Sequence, residues 1–147
     1  MFNEDVLDFI KIKEELASHC SSIIAKEMAL ALEPMTNREK IQEALDETAE
    51  ALRSWQTEIE QPLGGTRDIR EACKKSRKDF VLSREAIWDV YITIGAYKRM
   101  VKFFRAKYME YPLLSLWMQD MPNMDRVEQR LKRVFVDKGE LLDTASP

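Results

Sequence analysis

The residues that could do chemistry in this chain are few and scattered. His19 is the only histidine, Cys20 follows it directly, and Cys73 lies far away in the sequence. A nucleophile needs a base within hydrogen-bonding reach, but the side chains of adjacent helical residues diverge. A zinc site needs about four ligands, more than these three residues supply. The sequence therefore predicts no catalytic residue and no metal site, and its two isolated cysteines are typical of buried thiols in a reducing cytoplasm.

The glycines do not form a phosphate-binding loop. Such a loop needs glycines whose backbone amides face the phosphate, followed by Lys and then Ser or Thr. None of the four glycines begins such a motif: Gly64, Gly65, Gly95 and Gly139. This pattern argues against nucleotide hydrolysis within these residues and predicts no cofactor for them.

Three carboxylates, Asp46, Glu47 and Glu50, occur at helical spacing. Paired carboxylates can bind metals or perform acid–base catalysis. These three lie opposite the apolar side of the helix on which we expect them. We therefore interpret them as a solvated polar face.

Charge is segregated along the chain, whose formal net charge is -3. Residues 1–65 carry six basic and fourteen acidic side chains, whereas residues 66–107 carry twelve basic and five acidic ones. The best nucleic-acid candidates in the basic segment are Lys74, Lys75, Arg77 and Lys78, which could neutralise phosphates. Acidic residues interrupt this segment, and no aromatic residue interleaves before Phe80. We favour the alternative, in which the basic helix pairs with the acidic helices of residues 1–60.

The stretch from Tyr108 to Met124 is rich in Leu, Trp and Met. Apolar surface that contains methionine is adaptable and recurs where proteins meet partners. The candidates for a partner or interdomain interface are Leu113, Leu116, Trp117, Met118 and Met121. Plain hydrophobic core explains the same composition equally well.

The elements that must position these residues are helices. Glycine and proline are scarce, with four and five occurrences, which favours long helices over many short strands. We predict an all-α fold, an irregular multi-helix bundle with two long helices at about 37–60 and 84–108. A capping box from Thr36 to Glu39 starts the first of them. Its inward face is expected to be the heptad-like seam of Ile41, Leu45, Thr48, Leu52, Trp55 and Ile59.

Shorter elements complete the prediction. A break is expected at 18–22, a short basic helix from Asp68 to about Lys78, and a second long helix capped by Ser83. Pro112 starts a short apolar segment, and a last helix runs from about 124 to 135. Residues 1–135 are thus expected to form one helical domain, followed by a turn and a short extended piece at 136–147.

No segment of the sequence suggests a membrane partner. Uncharged runs such as Tyr111 to Gln119 are far too short to span a bilayer. The first residues include Asn3, Glu4 and Asp5 rather than a basic region and an apolar stretch, so no secretory signal is predicted. We expect a cytoplasmic protein.

Five ordered segments resemble the amino-terminal domain of the bacterial MutS-like proteins of the second type, a paralogue family distinct from mismatch-repair MutS. Residues 9–16 resemble F-x-K-I-K-x-x-L, 25–34 resemble G-K-E…L-x-P, and 47–51 resemble E-T-x-E-A. Residues 62–70 resemble P-x-G-G-x-x-D-I-R, and 137–147 resemble D-x-G-E-x-L-D-S-A-S-P. Ala25 departs from the usual glycine, Asp79 and Phe80 replace a Gly-Gly pair, and 108–124 match least.

The resemblance implies a division of roles in a longer protein. Such proteins are ATPases that dimerise through a separate ATPase domain, which uses ATP and Mg, and many add an endonuclease domain. They are linked to DNA repair on branched or mismatched DNA and to ribosome quality control at stalled ribosomes. The ending at Ala145-Ser146-Pro147 lies inside a family motif, so we expect the partners to include the remainder of a longer chain. This segment would then be a structural and coupling domain without catalysis; the alternative is a freestanding helical interaction module with weak nucleic-acid binding.

Overall fold

The computed structural model describes residues 8–57 and 64–135, which form helices and no β-strand. The helices are α1 (Phe9–His19), α2 (Ile23–Leu30), α3 (Arg38–Thr57), α4 (Arg70–Ser76), α5 (Arg84–Ala106), α6 (Pro112–Trp117) and α7 (Asp125–Lys132). The all-α prediction is confirmed, and α3 and α5 are the two long helices. Residues 58–60 and the predicted extended piece at 136–147 lie outside the described residues. None of the described helices is long and apolar enough to cross a bilayer.

The chain divides into two compact units, residues 1–45 and 46–147. In the first unit, α1 packs against α2, and the buried residues are the small Ala17 and Ala29. The break between these helices falls where the sequence predicts it. Ser22 begins α2 by accepting a hydrogen bond from the Ala25 amide at 3.1 Å.

The second unit has its core between α5 and α6. Val101 and Phe104 of α5 pack with Tyr111 and Met118, which lie at the two ends of α6. Ser83 starts α5 as predicted, because its hydroxyl accepts from the Ala86 amide at 3.2 Å. Pro112 occupies the first turn of α6, where its missing N–H costs nothing.

Lys98 joins α7 to α5. Its ammonium pairs with Asp125 at 2.6 Å and with Glu128. The ammonium of Lys98 donates hydrogen bonds to these carboxylates, which raises the pKa of Lys98, and the bond from Lys98 is the main cause that lowers the pKa of Asp125. An aromatic contact forms beside this pair of helices, where Trp88 of α5 meets Phe135 edge-on at 5.2 Å between ring centroids.

The orientation of α3 differs from the prediction. Its apolar seam does not face inward: Leu45 is 58% exposed, Leu52 is 55% exposed and Trp55 is 64% exposed. The buried side chains of this helix are instead Glu50 and Ser54, at 3% and 2%. The interpretation of Glu50 as part of a solvated face is therefore wrong. The physical reason is that the start of α6 presents backbone N–H groups that require an acceptor.

Two smaller predictions are also corrected. Asn37, rather than Thr36, caps α3, since its side-chain oxygen accepts from the Lys40 amide at 3.0 Å. Neither cysteine is a buried thiol, because Cys73 is exposed and Cys20 is half-buried; both are free.

Candidate functional site

Helix α6 is held on α3 by hydrogen bonds to side chains. The buried carboxylate of Glu50 accepts from the backbone amides of Leu114 at 2.7 Å and Leu113 at 3.2 Å. Four N–H groups at a helix N-terminus have no partner within the helix, and here a second helix satisfies two of them. A carboxylate is favoured at this position because the helix N-terminus carries partial positive charge.

Two further contacts extend this junction to both ends of α6. The indole N–H of Trp117 donates to Glu47 Oε1 at 3.1 Å, and the hydroxyls of Thr57 and Tyr111 lie 2.6 Å apart. Ser115, in the middle of α6, donates to the Phe104 carbonyl of α5 at 2.7 Å. The short helix is thus fixed to both long helices by polar contacts distant in sequence.

An apolar surface lies beside this junction. We call Leu52, Trp55, Leu116 and Trp117 the α3–α6 face; their exposures are 55%, 64%, 49% and 60%. Between the two tryptophans lies a cavity of about 160 Å³, whose lining includes Met100 and Phe104. Exposed apolar area of this kind, rimmed by carboxylates such as Glu47, is typical of surfaces that meet another protein segment.

The predicted interface residues divide between the core and this surface. Met118 is buried, and Met121 packs against the same core cluster. Leu113 is half-buried, and Leu116 and Trp117 are exposed. Leu52 and Trp55 were not among the predicted surface residues, because their heptad spacing is also the signature of a buried face.

The basic residues of α4 are exposed. Lys74, Lys75, Arg77 and Lys78 lie on one helical turn and the turn that follows it. Lys75 lies 4.0 Å from Glu71 of the same helix, so its ion pair is local. The α3 carboxylates Glu47 and Glu50 contact α6, and among described residues of the second unit no ion pair joins either to α4.

The chain turns sharply after α4. Asp79 has a φ of +56°, and the amide of Phe80 donates to the Lys75 carbonyl at 3.2 Å while that of Asp79 donates to the Ser76 carbonyl at 3.2 Å. This pair of bonds ends the helix with a left-handed residue. The turn brings Phe80 beside Lys74, Lys75 and Lys78, where they line one cavity of about 270 Å³.

The start of α4 is fixed by a carboxylate. Asp68 accepts from the Arg70 amide at 3.1 Å and from the Arg70 guanidinium Nε at 2.9 Å. The side-chain bond from Arg70 is the main cause that lowers the Asp68 pKa to about 2, and the backbone bond adds to it. This carboxylate therefore pairs with Arg70, whose side chain is 49% exposed, and it also interacts coulombically with Lys74.

A larger cavity, of about 470 Å³, lies between α5 and residues 121–125. Two of its cations are occupied in holding the chain together: Lys98 pairs with Asp125, and the Arg105 guanidinium donates to the Met118 carbonyl at 2.9 Å. We interpret these contacts as structural. In the part of the chain that the structure describes, no group of three or more potential metal ligands is found, and His19 pairs with Glu15 at 3.1 Å on an exposed surface.

Comparison with known proteins gives a consistent set of relatives. No family model matches the chain. The protein named Endonuclease MutS2 of Geobacillus sp. (strain WCH70) is 31% identical over 144 residues, and that of Bacillus velezensis is 31% identical over 145 residues. The protein of the same name in Pelotomaculum thermopropionicum is 30% identical over 141 residues. Each similarity covers 96% of this chain, and the chain spans 18% of the length of each relative. Nearly the whole chain is therefore similar to a limited, helical part of proteins named Endonuclease MutS2.

Proposed function

We propose that this chain is a structural and coupling segment of a larger MutS-like protein that acts on branched or mismatched DNA, on stalled ribosomes, or on both. In this proposal ATP, Mg and the endonuclease activity belong to other domains, and dimerisation occurs through the ATPase domain. The similarity to 18% of the length of MutS2 relatives supports the placement within a larger protein.

The observation that carries the coupling role is the junction between α3 and α6. Three polar contacts, from Glu47, Glu50 and Thr57, fix a short helix to a long one. Such contacts have a preferred geometry, so we expect the long helix and the α5–α6 core to move together. A rigid connection of this kind is what a segment needs to transmit a displacement from one domain to another.

The apolar surface beside this junction supports the proposal that the chain is a segment of a larger protein. The α3–α6 face is exposed in the isolated chain, and the first unit exposes Ile12, Ile23 and Met28 at 58%, 60% and 65%. Covering such surface is favourable by about 25 cal/mol per Å². We assign these surfaces to contacts with the remainder of the larger protein.

A segment exchange tests this function. The aligned segment of the Bacillus velezensis relative is replaced by this chain, and ATP hydrolysis and cleavage of a branched DNA are measured. We expect the chimera to be active and its W55E/L116E variant, which alters the α3–α6 face without removing the bond from Trp117 to Glu47, to lose activity while remaining folded. M109E, which alters a residue that is 90% exposed and lies outside both the α3–α6 face and the turn after α4, is the matched control.

The two possible clients are separated in the same chimera. Binding to a four-way DNA junction and co-sedimentation with stalled ribosomes are measured for the chimera and for the unaltered relative. Loss of one and retention of the other identifies the client that depends on this segment. An inactive chimera that nevertheless folds and dimerises contradicts the coupling role.

A freestanding interaction module is the second candidate, favoured by the exposure of Leu116 and Trp117. It predicts that the isolated chain self-associates reversibly as its concentration rises, as measured by sedimentation velocity. The W117E substitution should abolish this self-association. A monomer over the whole concentration range excludes self-association as its role.

The location that accompanies either function is the cytoplasm. Both cysteines, Cys20 and Cys73, are free thiols, as is usual for proteins of a reducing compartment. Fractionation of cells that express the tagged protein tests this proposal.

A further inference from the structure

We propose that α4 and the turn after it form a binding site for single-stranded nucleic acid, with Phe80 as a stacking platform for a base and with Lys74, Lys75 and Lys78 as phosphate contacts. The inference rests on the proposed function in one respect, that nucleic acid is among the clients. It adds the form of the nucleic acid and the residue that recognises it.

The geometry of the cavity is the first argument. Lys74 lies in α4 and Lys78 in the turn that follows it, and both side chains line the same cavity. Phe80 is brought to the same cavity by the left-handed conformation of Asp79 and the bond from the Phe80 amide to the Lys75 carbonyl. One aromatic side chain and three lysine side chains therefore line a space of about 270 Å³.

The exposure of the ring is the second argument. Phe80 is 63% exposed and its neighbour Val81 is 96% exposed, so neither contributes a buried side chain to the core. Covering an exposed phenyl ring with a flat apolar group removes both surfaces from water and lowers the free energy. Every nucleobase presents such a face when it is not stacked in a duplex.

The charges are the third argument. Among the described residues, Lys74 and Lys78 have no carboxylate within 4.0 Å, whereas Lys75 is near Glu71. Glu71 also lines the cavity and repels a phosphate on its side. The phosphates of a bound strand are therefore expected along Lys74 and Lys78, with the adjacent exposed Arg77 adding to the local potential. Asp79, also exposed, is the remaining carboxylate of the turn.

The combination favours a single strand over a duplex. Lysines alone bind either form through phosphates, without reading the bases. An exposed ring adds affinity for unstacked bases alone, because bases within a duplex already stack on each other. Base–aromatic stacking and a cationic groove together are the features by which proteins bind single strands.

The test uses the whole 147-residue chain and fluorescein-labelled 20-mers of dT and U, with a 20-base-pair DNA duplex as the third probe. Fluorescence anisotropy at low salt is expected to show tighter binding of both single strands than of the duplex. F80A is expected to weaken single-strand binding by roughly 5- to 100-fold, to leave duplex binding unchanged, and to be rescued by F80W. V81A, at the neighbouring residue that is still more exposed but not aromatic, is the control and is expected to have no effect.

The lysines are tested by the salt dependence. K74Q/K78Q is expected to weaken binding of single strands and duplex alike and to reduce the slope of log affinity against log salt for single strands by about 1.4. K26Q, an exposed lysine of α2, is the matched control. Circular dichroism and the urea midpoint verify that each variant is folded, as expected for exposed positions.

Three results overturn the proposal: no binding of either single strand at low salt, a preference for the duplex, or unchanged binding by folded F80A. The first would leave Phe80 and Val81 as a surface for a protein partner. None of these outcomes bears on the coupling role, which is measured in the chimera. An inactive chimera, in turn, leaves single-strand binding by this chain standing.

Discussion

At the scale of single residues, Asp79 occupies a backbone conformation that favours glycine. Its φ of +56° lies in the left-handed region, where a Cβ crowds the following carbonyl. The position is also where the resembled family has Gly-Gly. Asp79 therefore adopts here a conformation that glycine would adopt with less strain.

Replacing this residue tests the strain directly. D79G is expected to raise the free energy of unfolding by roughly 0.5–1 kcal/mol, since glycine relieves the crowding at some cost in chain entropy. K78G, at the preceding residue whose φ is not positive, is expected to lower it by a similar amount. Urea unfolding followed by circular dichroism measures both, and equal destabilisation by the two variants would contradict the argument.

Asp68 carries a prediction about pH. Its carboxyl has a pKa of about 2 against an ordinary value of 3.8, chiefly because the Arg70 side chain donates to it. The folded-state pKa is the lower one, so this contact stabilises α4 fully above about pH 3.8 and is lost as the pH falls through 2. In R70A the pKa is expected to rise towards 3.8 but to stay below it, because the backbone amide still donates. Carbon-detected NMR titration measures this change, and an unaltered pKa in R70A would refute the assigned cause.

At the scale of elements, the contact that orients α3 is polar. Glu50 is buried and accepts two backbone hydrogen bonds at the start of α6. A six-residue helix is too short to be stable alone. The position of α6 therefore depends on its contacts with α3 and α5 rather than on its own helix propensity.

Removal of the carboxylate is expected to detach α6. E50A should lower the free energy of unfolding by about 3 kcal/mol, because two buried N–H groups lose a charged acceptor. E50Q retains one oxygen and should cost about half as much. E43A is the matched control, one heptad earlier on the same helix and exposed, and should change stability by less than about 0.5 kcal/mol. Equal effects of E50A and E43A in urea unfolding, followed by tryptophan fluorescence, would exclude this role.

At the scale of the whole molecule, the chain has more apolar surface than its few helices can bury. Both units expose large apolar side chains, which include Ile23, Met28, Leu52, Trp55 and Trp117. Two compact units of this size have few helices with which to bury every apolar face. This balance agrees with a segment whose relatives are more than five times as long.

The exposed face predicts a measurable property of the isolated chain. In its folded state it is expected to bind the dye ANS, whose fluorescence rises on apolar surface. L52Q/W55Q should lower this fluorescence. It should lower the free energy of unfolding by no more than about 0.5 kcal/mol, as is usual for exposed substitutions. V81Q, outside the α3–α6 face, is the control. Undiminished ANS fluorescence in L52Q/W55Q would show that another surface binds the dye.

The sequence alone determined the helices and several of their ends. Ser22, Ser83 and Pro112 act locally, through hydrogen bonds and ring geometry within one turn, so their effects can be read from neighbouring residues. Spacing likewise identified the apolar seam of α3 and the cations of α4. Local interactions of this kind do not depend on where other helices lie.

Only the tertiary structure decided which face of each helix is covered. The seam of Leu52 and Trp55 looked like an inward face, but the partner available to α3 is the N-terminus of α6, whose free amides require Glu50. The position of Phe80 beside the lysines also depends on the three-dimensional structure, since the left-handed conformation of Asp79 reverses the chain after α4. Periodicity shows that a helix has two faces, but the hydrogen-bonding needs of a distant element select between them.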